Sequence, residues 1–348
     1  MYSPFSVVNG YINLLAREIR LKKDFLSSRQ PVCSLRLKGF PLRQFNAEQL
    51  TELMFRLCCH FKVQEGERGE RAISLSPEQC VSDTLALLKG LSFNNIQLRI
   101  DTSIAGPDRS LDPIRRAVHA IQEFSGFRIS ADIVFSADTS PLFLEKLVAF
   151  LSQAQVVEIA FHRNMEGPAS PGDHRICTQT FNRIADVAGQ YGYRLIGDRC
   201  FKKTDHPDFH LRDQGMLSYG PWGFYSTALS EWLALGVAAE GMMGGYLYHN
   251  AAEVNDYRGL IEEEKPPVYG WSSKPVDQEE VFDFIQNLYC LHRVGRQFFR
   301  HRETLLDSLK VMGWLSESKD DLYLTPEGVS NMATICNLYS RPALEASA

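Results

Sequence analysis

The feature that most constrains this chain is a rhythm. From Tyr11 to about Ile196, short apolar runs return roughly every 25 to 40 residues, with amphipathic stretches between them. Val32 to Leu37, Ala72 to Leu75, Ile96 to Ile100, Ile129 to Phe135, Val156 to Phe161 and Tyr193 to Ile196 read as strands. The spacing between them predicts helices. Tyr11 to Lys23 carries Ile12, Leu14, Leu15, Ile19 and Leu21 among charged residues. Asn46 offers an N-cap, with Gln49 three residues on and an apolar face of Leu50, Leu53, Met54 and Leu57 following. Further helices are expected from Ser76-Pro77 to Lys89, Asp112-Pro113 to Phe124, Ser140-Pro141 to Leu151 and Arg175 to Gln190. Parallel strands need long crossovers, usually helical, so the alternation predicts parallel βα units in a barrel or a doubly wound sheet.

Several function classes are excluded at this level. No G-x-G-x-x-G or G-x-x-x-x-G-K-[ST] follows any strand, so the two commonest nucleotide-binding fingerprints are missing. Thirty-seven basic residues against 42 acidic ones leave a formal net charge of −5, which argues against a general nucleic-acid binder. No apolar run approaches the ~18 residues that span a bilayer, and Met1-Tyr-Ser-Pro-Phe-Ser lacks the features of a signal peptide. A soluble, cytoplasmic protein without nucleic-acid or membrane partners is the expectation. The eight cysteines, Cys33, Cys58, Cys59, Cys80, Cys177, Cys200, Cys290 and Cys336, contain no C-x-x-C pair. Cys58 and Cys59 are adjacent, and adjacent side chains on a helix diverge by ~100°, which makes a poor chelating pair. Reduced, packed thiols are expected, and no metal site.

From about Gly197 the composition shifts. The stretch 203–227 is rich in His, Asp, Gly, Pro and aromatics and reads as long loops. His206 and His210 have the spacing of one helix face, but Asp205, Pro207 and Asp208 argue against a helix there. Gly236 to Gly245 reads as a glycine-rich loop, either approaching a ligand or crossing the interior. Tyr219, Trp222, Phe224, Tyr225, Tyr246, Tyr248 and His249 are either the lining of a flat apolar cavity or ordinary packing. After Lys265-Pro266-Pro267 come helices at Gln278 to Leu291 and near Arg302 to Met312. Thr325-Pro-Glu then suggests a strand turning into a capped helix. Three regions follow: 1–200 a partial βα barrel, 201–265 an aromatic, glycine-rich region, and 266–348 a small helical or winged domain. Neither G-x-S-x-G nor H-E-x-x-H occurs.

The order of segments resembles the oxygen-independent coproporphyrinogen III oxidase family of radical S-adenosylmethionine (SAM) proteins. Tyr11-Ile-Asn-Leu-Leu-Ala-Arg-Glu-Ile19 is similar to the family's Y-x-x-x-L-x-x-E-I helix, and Phe45-Asn-Ala-Glu-Gln-Leu50 to the helix start after its second strand. Gly126-Phe127 through Ala131-Asp132-Ile133 resembles the segment entering its fifth strand. Tyr191-Gly-Tyr-Arg-Leu-Ile-Gly197 with Phe201, then Leu235-Gly236-Val-Ala-Ala239 and Tyr257, resembles its substrate-side region. Leu322-Tyr-Leu-Thr-Pro-Glu-Gly328 resembles the close of its C-terminal domain.

The resemblance implies an incomplete radical-SAM-like barrel of about five or six parallel strands with a small C-terminal domain. It also implies departures. The family holds a 4Fe–4S cluster on C-x-x-x-C-x-x-C after its first strand. Aligned this way, the chain begins at the helix beyond that loop, so strand, ligands and cluster are expected to be absent. The family's G-G-G-T-P loop is replaced by Lys38-Gly39-Phe40-Pro41, its E-x-x-P glutamate falls at Ser74, and a glutamine falls near Asp101. Asp132 matches a SAM-pocket position directly, and Arg109 matches with a one-residue gap. Cys200 stands at the family's D-H-F histidine, where it is either an inert thiol or a thiolate ligand for haem iron. Cys200, Phe201, Gly236, Tyr225 and Tyr257 are the candidate substrate contacts. No resident cofactor is expected, and SAM or a tetrapyrrole is the candidate ligand.

Three functions remain open on this reading. One is a cluster-free binding or accessory protein in a tetrapyrrole (haem or porphyrin) or specialised-metabolite pathway. Another is an interaction subunit of a cluster-bearing homologue, docked on the open barrel edge at Val32 to Leu37. The third is an enzyme with other SAM-dependent chemistry.

Overall fold

The computed structural model describes residues 10–340 apart from 27–29, 40, 65, 67–68, 103–109, 137–138, 164–170, 221–222, 229–230, 245, 274–275 and 320. At 41, 163, 171–179, 271–273 and 276–278 it describes the backbone alone. The alternation is what the chain adopts. In order come α1 (Tyr11–Lys22), β1 (Ser34–Leu37), α2 (Pro41–Gln44), α3 (Ala47–His60), β2 (Glu70–Leu75), α4 (Ser82–Gly90) and β3 (Asn95–Asp101). Next are α5 (Asp112–Glu123), β4 (Arg128–Phe135), α6 (Pro141–Gln153), β5 (Glu158–Arg163), α7 (Pro171–Gln190) and β6 (Tyr193–Ile196). Then follow β7 (Cys200–Lys203), α8 (Pro207–Asp213), β8 (Leu217–Gly220), β9 (Gly223–Ser226), β10 (Glu240–Met243), β11 (Tyr246–Asn250), α9 (Val254–Glu262) and β12 (Val268–Ser273). The last stretch holds α10 (Val276–Leu291), β13 (Arg293–Gly295), α11 (Glu303–Val311), β14 (Leu315–Ser318), β15 (Asp321–Leu324), α12 (Pro326–Ser330) and α13 (Met332–Ser340).

Seven strands form one α/β sheet in the order β1-β2-β3-β4-β5-β7-β6. Strands β1 to β4 pair in parallel, with Ile73 beside Ile96 and Ile96 beside Ile129. The sheet is not parallel throughout. Strand β7 turns back from β6 through residues 197–199, where Gly197 has φ of 62°, and runs antiparallel to both β6 and β5.

By internal contacts the chain divides into two compact units. One comprises Met1–Val134, Ala154–Val157 and Leu229–Ser273; the other comprises Phe135–Gln153, Glu158–Ala228 and Lys274–Ala348. In the first, Ile73, Leu75, Ile96, Leu98, Ile100, Ile129, Ala131 and Ile133 form a buried apolar row. The helices supply Leu50, Leu53, Met54, Leu57, Leu85, Leu88, Val118 and Ile121 to the same core. Helix α3 starts with the expected capping box: Asn46 Oδ1 accepts from Gln49 N at 2.9 Å, and Gln49 Oε1 accepts from Asn46 N at 3.1 Å. A small antiparallel sheet, β10-β11-β12, completes this unit.

In the second unit, Phe161, Phe181 and Phe201 pack edge to face and tilted at 5.4 to 6.1 Å. The tail is a three-stranded sheet, β13-β15-β14, on helices α10, α11 and α13, centred on the stacked Phe284–Tyr339 pair at 3.6 Å. Thr325 caps α12, its Oγ1 accepting from Gly328 N at 3.0 Å.

The stretch expected as long loops, 203–227, instead carries the end of β7, α8 and the β8–β9 hairpin. Pro207 occupies the first turn of α8, where its missing N–H costs nothing, and Asp208 faces the helix's positive end. His206 is the N-cap, its Nδ1 accepting from Asp208 N at 3.2 Å. A proline taken as a breaker is therefore a helix starter. Among the described residues no three His, Cys, Asp or Glu side chains are grouped to hold a metal.

Candidate functional site

Strands of a parallel sheet usually read as continuous apolar runs because both faces are covered. Here β1 to β4 alternate. On one face lie Ser34 and Arg36 of β1, Glu70 and Ser74 of β2, Asn95, Gln97, Arg99 and Asp101 of β3, and Ser130 and Asp132 of β4. The register sets them side by side, with Ser34 by Glu70, Ser74 by Gln97, Gln97 by Ser130 and Arg99 by Asp132.

The N-terminal rungs form a saturated network around Glu70. Its Oε2 accepts from Arg36 Nε and Ser34 Oγ, each at 2.8 Å, and its Oε1 accepts from Asn95 Nδ2 at 2.8 Å. Ser130 Oγ donates to Asn95 Oδ1 at 3.3 Å, and Ser74 Oγ to Gln97 Oε1 at 2.9 Å. Burial alone would raise the Glu70 carboxyl. The Arg36 charge and the bonds from Ser34, Asn95 and Arg36 outweigh it and hold the group below the usual carboxylate range.

Toward the C-terminal strand ends the face carries Arg99, the half-buried Asp132 and the exposed Asp101. Ligands of βα folds bind at those ends. The fold thus brings Ser74, Asp101 and Asp132 to one face, although the sequence separates them by several helices. Arg109 lies outside the described residues.

The same unit holds a second polar cluster, fully buried. Glu18 and Lys22, one turn apart on α1, are both 0% exposed and paired at 2.7 Å. Glu18 Oε2 accepts from Gly236 N and Tyr257 Oη, each at 2.7 Å; its Oε1 also accepts from Asn250 Nδ2 at 2.7 Å. Lys22 Nζ donates to Asn250 Oδ1 at 2.8 Å and to the Ala234 carbonyl at 2.9 Å. Gly236 has φ of 103°, and a Cβ there would sit 2.8 Å from Tyr11 Oη, so only glycine fits. Gly236 and Tyr257 accordingly anchor helix α1 to the loop before β10. Burial pushes the Tyr11 hydroxyl up to about 12 and lowers Lys22, the latter against the pull of Glu18.

In the other unit, Cys200 is half-buried on β7, whereas Phe201 points the opposite way into the phenylalanine cluster. Lys202 Nζ lies 2.7 Å from Glu158 and 2.6 Å from Asp208. Burial opposes its charge, but these acids raise it above the ordinary lysine value, so it is a locked ammonium and no nucleophile. Tyr219 stacks on Tyr289 at 3.9 Å and lies 5.1 Å from Phe224. Tyr225 is half-buried on β9 beside Ser218. Gln286 fastens this hairpin: its Oε1 accepts from Ser218 Oγ and Tyr219 N, and its Nε2 donates to the Tyr219 carbonyl. His292 Nε2 meets the Gly197 carbonyl at 2.7 Å, and burial lowers its pKa. Of the other aromatics, Tyr246, Tyr248 and His249 belong to β11 of the first unit, and Trp222 lies outside the described residues.

Comparison with known proteins bears on the fold. No protein-family model matches the chain. The chain is 21% identical over 364 residues to the oxygen-independent coproporphyrinogen III oxidase of Pseudomonas aeruginosa, covering 95% of this chain and 78% of that protein. Among solved structures it superposes with a TM-score of 0.80 on coproporphyrinogen III oxidase (HemN) from Escherichia coli, described as a radical SAM enzyme. That match has 18% identity and covers 95% of this chain and 82% of the other. The chain is thus distantly related to these oxidases over nearly its whole length, and it shares their fold. Among the described residues no three His, Cys, Asp or Glu side chains are grouped as cluster ligands would be. Burial pushes the Cys80, Cys290 and Cys336 thiols up to about 12, away from the thiolate form a cluster needs, and Cys58 and Cys59 diverge on the exposed side of α3.

Proposed function

We propose that this protein binds a small polar ligand on the polar face of β1 to β4, toward the C-terminal strand ends. In this reading it serves as a binding or accessory protein, without radical chemistry of its own, in a tetrapyrrole or specialised-metabolite pathway. The observation that supports this most is the alternation itself. The register sets Arg99 beside Asp132, with Asp101 exposed at the end of β3, so charges of both signs meet toward the strand ends where ligands of βα folds bind. The relatedness to coproporphyrinogen oxidases supports the pathway reading, and SAM and tetrapyrroles are the ligands to try first.

The test is direct. Wild type and Asp132→Asn are titrated by calorimetry and absorbance with SAM, coproporphyrin and haem. One ligand should bind wild type and weaken at least tenfold in Asp132→Asn while the ligand-free melting temperature moves little. Anaerobic iron–sulfide reconstitution yielding one 4Fe–4S cluster per chain, with SAM cleavage, would overturn the non-radical reading. A second reading, a subunit docked on a cluster-bearing homologue, draws support from β1 standing last in the sheet order.

A further inference from the structure

We propose that Cys200 is a base-assisted nucleophile, with His162 as its base and Asp198 orienting that imidazole, acting on activated acyl groups. The site belongs to the second unit, and the proposal stands independently of the ligand proposed for β1 to β4.

The antiparallel pairing of β5 and β7 carries the argument. Glu158 stands opposite Lys202, and Ala160 opposite Cys200. The bond from Phe161 N to the Arg199 carbonyl at 2.9 Å extends this pairing toward the turn. Residues 158, 160 and 162 alternate onto the face that carries 200 and 202. Cys200 therefore stands between an acid–ammonium rung and the end of the pairing, where His162 approaches Asp198. Across the strand pair His162 is the diagonal neighbour of Cys200, a spacing of ~7–8 Å that an imidazole ring can bridge. Directly opposite Cys200 stands Ala160, whose side chain is a single methyl.

The remaining surroundings are consistent with this role. Asp198 interacts with the His162 imidazole and the Arg199 guanidinium, while burial raises its own pKa. Lys202, fixed as a cation by Glu158 and Asp208, favours negative charge on the nearby sulfur. Tyr219 and Phe224 belong to the same apolar cluster as Cys200 and would wall an aromatic or aliphatic leaving group. The charged or titratable groups around the thiol include Glu158 and His162 of β5, Asp198 and Arg199 of the turn, Lys202 of β7, Asp208 of α8, Tyr219 of β8 and Cys290 of α10. His162 is exposed and Cys200 half-buried, so a reagent can reach the pair.

In the reaction, Cys200 Sγ attacks the acyl carbon of an ester and passes its proton to His162. The S–C bond forms, the C–O bond breaks with its electron pair, and the leaving oxygen takes the proton back from the imidazolium. Water then hydrolyses the thioester.

The experiment uses the full chain and p-nitrophenyl acetate, with peptide mass spectrometry to locate the acetyl group. Cys200 should be acetylated at least tenfold faster at pH 7 than the exposed Cys58 and Cys59, which serve as internal references. His162→Gln should slow Cys200 at least tenfold and Asp198→Asn severalfold, with Cys58 and Cys59 unchanged. In wild type, needing no variant, the Cys200 rate should level off well below the pH range in which a free thiol ionises. Acetylation of Cys200 no faster than Cys58, or a rate still climbing toward ~8.5 as for a free thiol, overturns the proposal.

Discussion

Replacing Glu18 by Gln tests whether the buried α1 cluster holds the first unit together. The substitution keeps the shape and removes one charge. One carboxylate now accepts four hydrogen bonds, from Lys22, Asn250, Gly236 and Tyr257, at full burial. A glutamine has one acceptor oxygen, so donors on its amide side face another donor, and the Lys22 ammonium loses its counter-charge. Removing one partner of a buried pair costs about 3–5 kcal/mol. For a unit of this size that lowers the melting temperature by roughly 6–20 °C. The pH dependence gives an independent sign. With Glu18 gone, burial alone governs Lys22 and depresses its folded-state pKa further. Between that value and the ~10.4 of the unfolded chain, the unfolded state binds more protons, so stability rises with pH. Urea melts of Glu18→Gln should therefore recover part of the loss between pH 7 and 10. The double variant Glu18→Leu/Lys22→Met should lose less than the two single changes summed, since both charges leave together. A Glu18→Gln cost under ~1 kcal/mol, the worth of an exposed pair, would refute the reasoning.

Glu70 gives a signature at acid pH. Its folded-state pKa is depressed, so its contribution is complete above the unfolded ~4.3 and is lost as pH falls through the folded value. The stability gap between wild type and Glu70→Gln should stay constant from pH 8 to about 5 and shrink below about 4; urea melts across that range check it. Gly236→Ala forces a side chain into φ of 103° against Tyr11 Oη and should cost roughly 1–3 kcal/mol in the same assay. Leu35→Lys with Leu37→Lys should abolish a subunit complex formed through β1 while the isolated chain keeps its circular dichroism. Light scattering that shows a monomer throughout, with no cognate subunit recovered, rules that complex out.

What the sequence revealed was local in origin. The Asn46–Gln49 capping box, the Thr325 cap and the strands around Ile96 and Ile133 depend on residues within a turn or a strand, and all stand where spacing puts them. Helix α8 was hidden because Pro207 carries opposite meanings inside a helix and at its first turn, and only the His206 cap separates the two. The α1 cluster was hidden for a different reason. Glu18 and Asn250 are 232 residues apart, and no periodicity encodes a contact of that separation. Tyr11, Gly236 and Tyr257 were singled out by resemblance, but their partners Lys22 and Asn250 were not. The polar face was legible and went unread: Asn95-Ile-Gln-Leu-Arg-Ile-Asp101 alternates strictly, and a strand buried on both sides would not.

That alternation also separates the candidate ligands. The Glu70 rungs satisfy themselves through Arg36, Ser34 and Asn95, so displacing water there gains a ligand little. The Arg99, Asp101 and Asp132 end brings charges of both signs together toward the strand termini, the chemistry that a ligand with an amine and a carboxylate matches. A tetrapyrrole presents a broad apolar plane, which this end of the face matches poorly; stacked aromatics suit it better. The ligand and the variant therefore have to agree. A polar zwitterion such as SAM should lose affinity in Asp132→Asn. Haem or coproporphyrin binding that ignores Asp132→Asn would place the ligand off this face and remove the alternation as the basis of the proposed function.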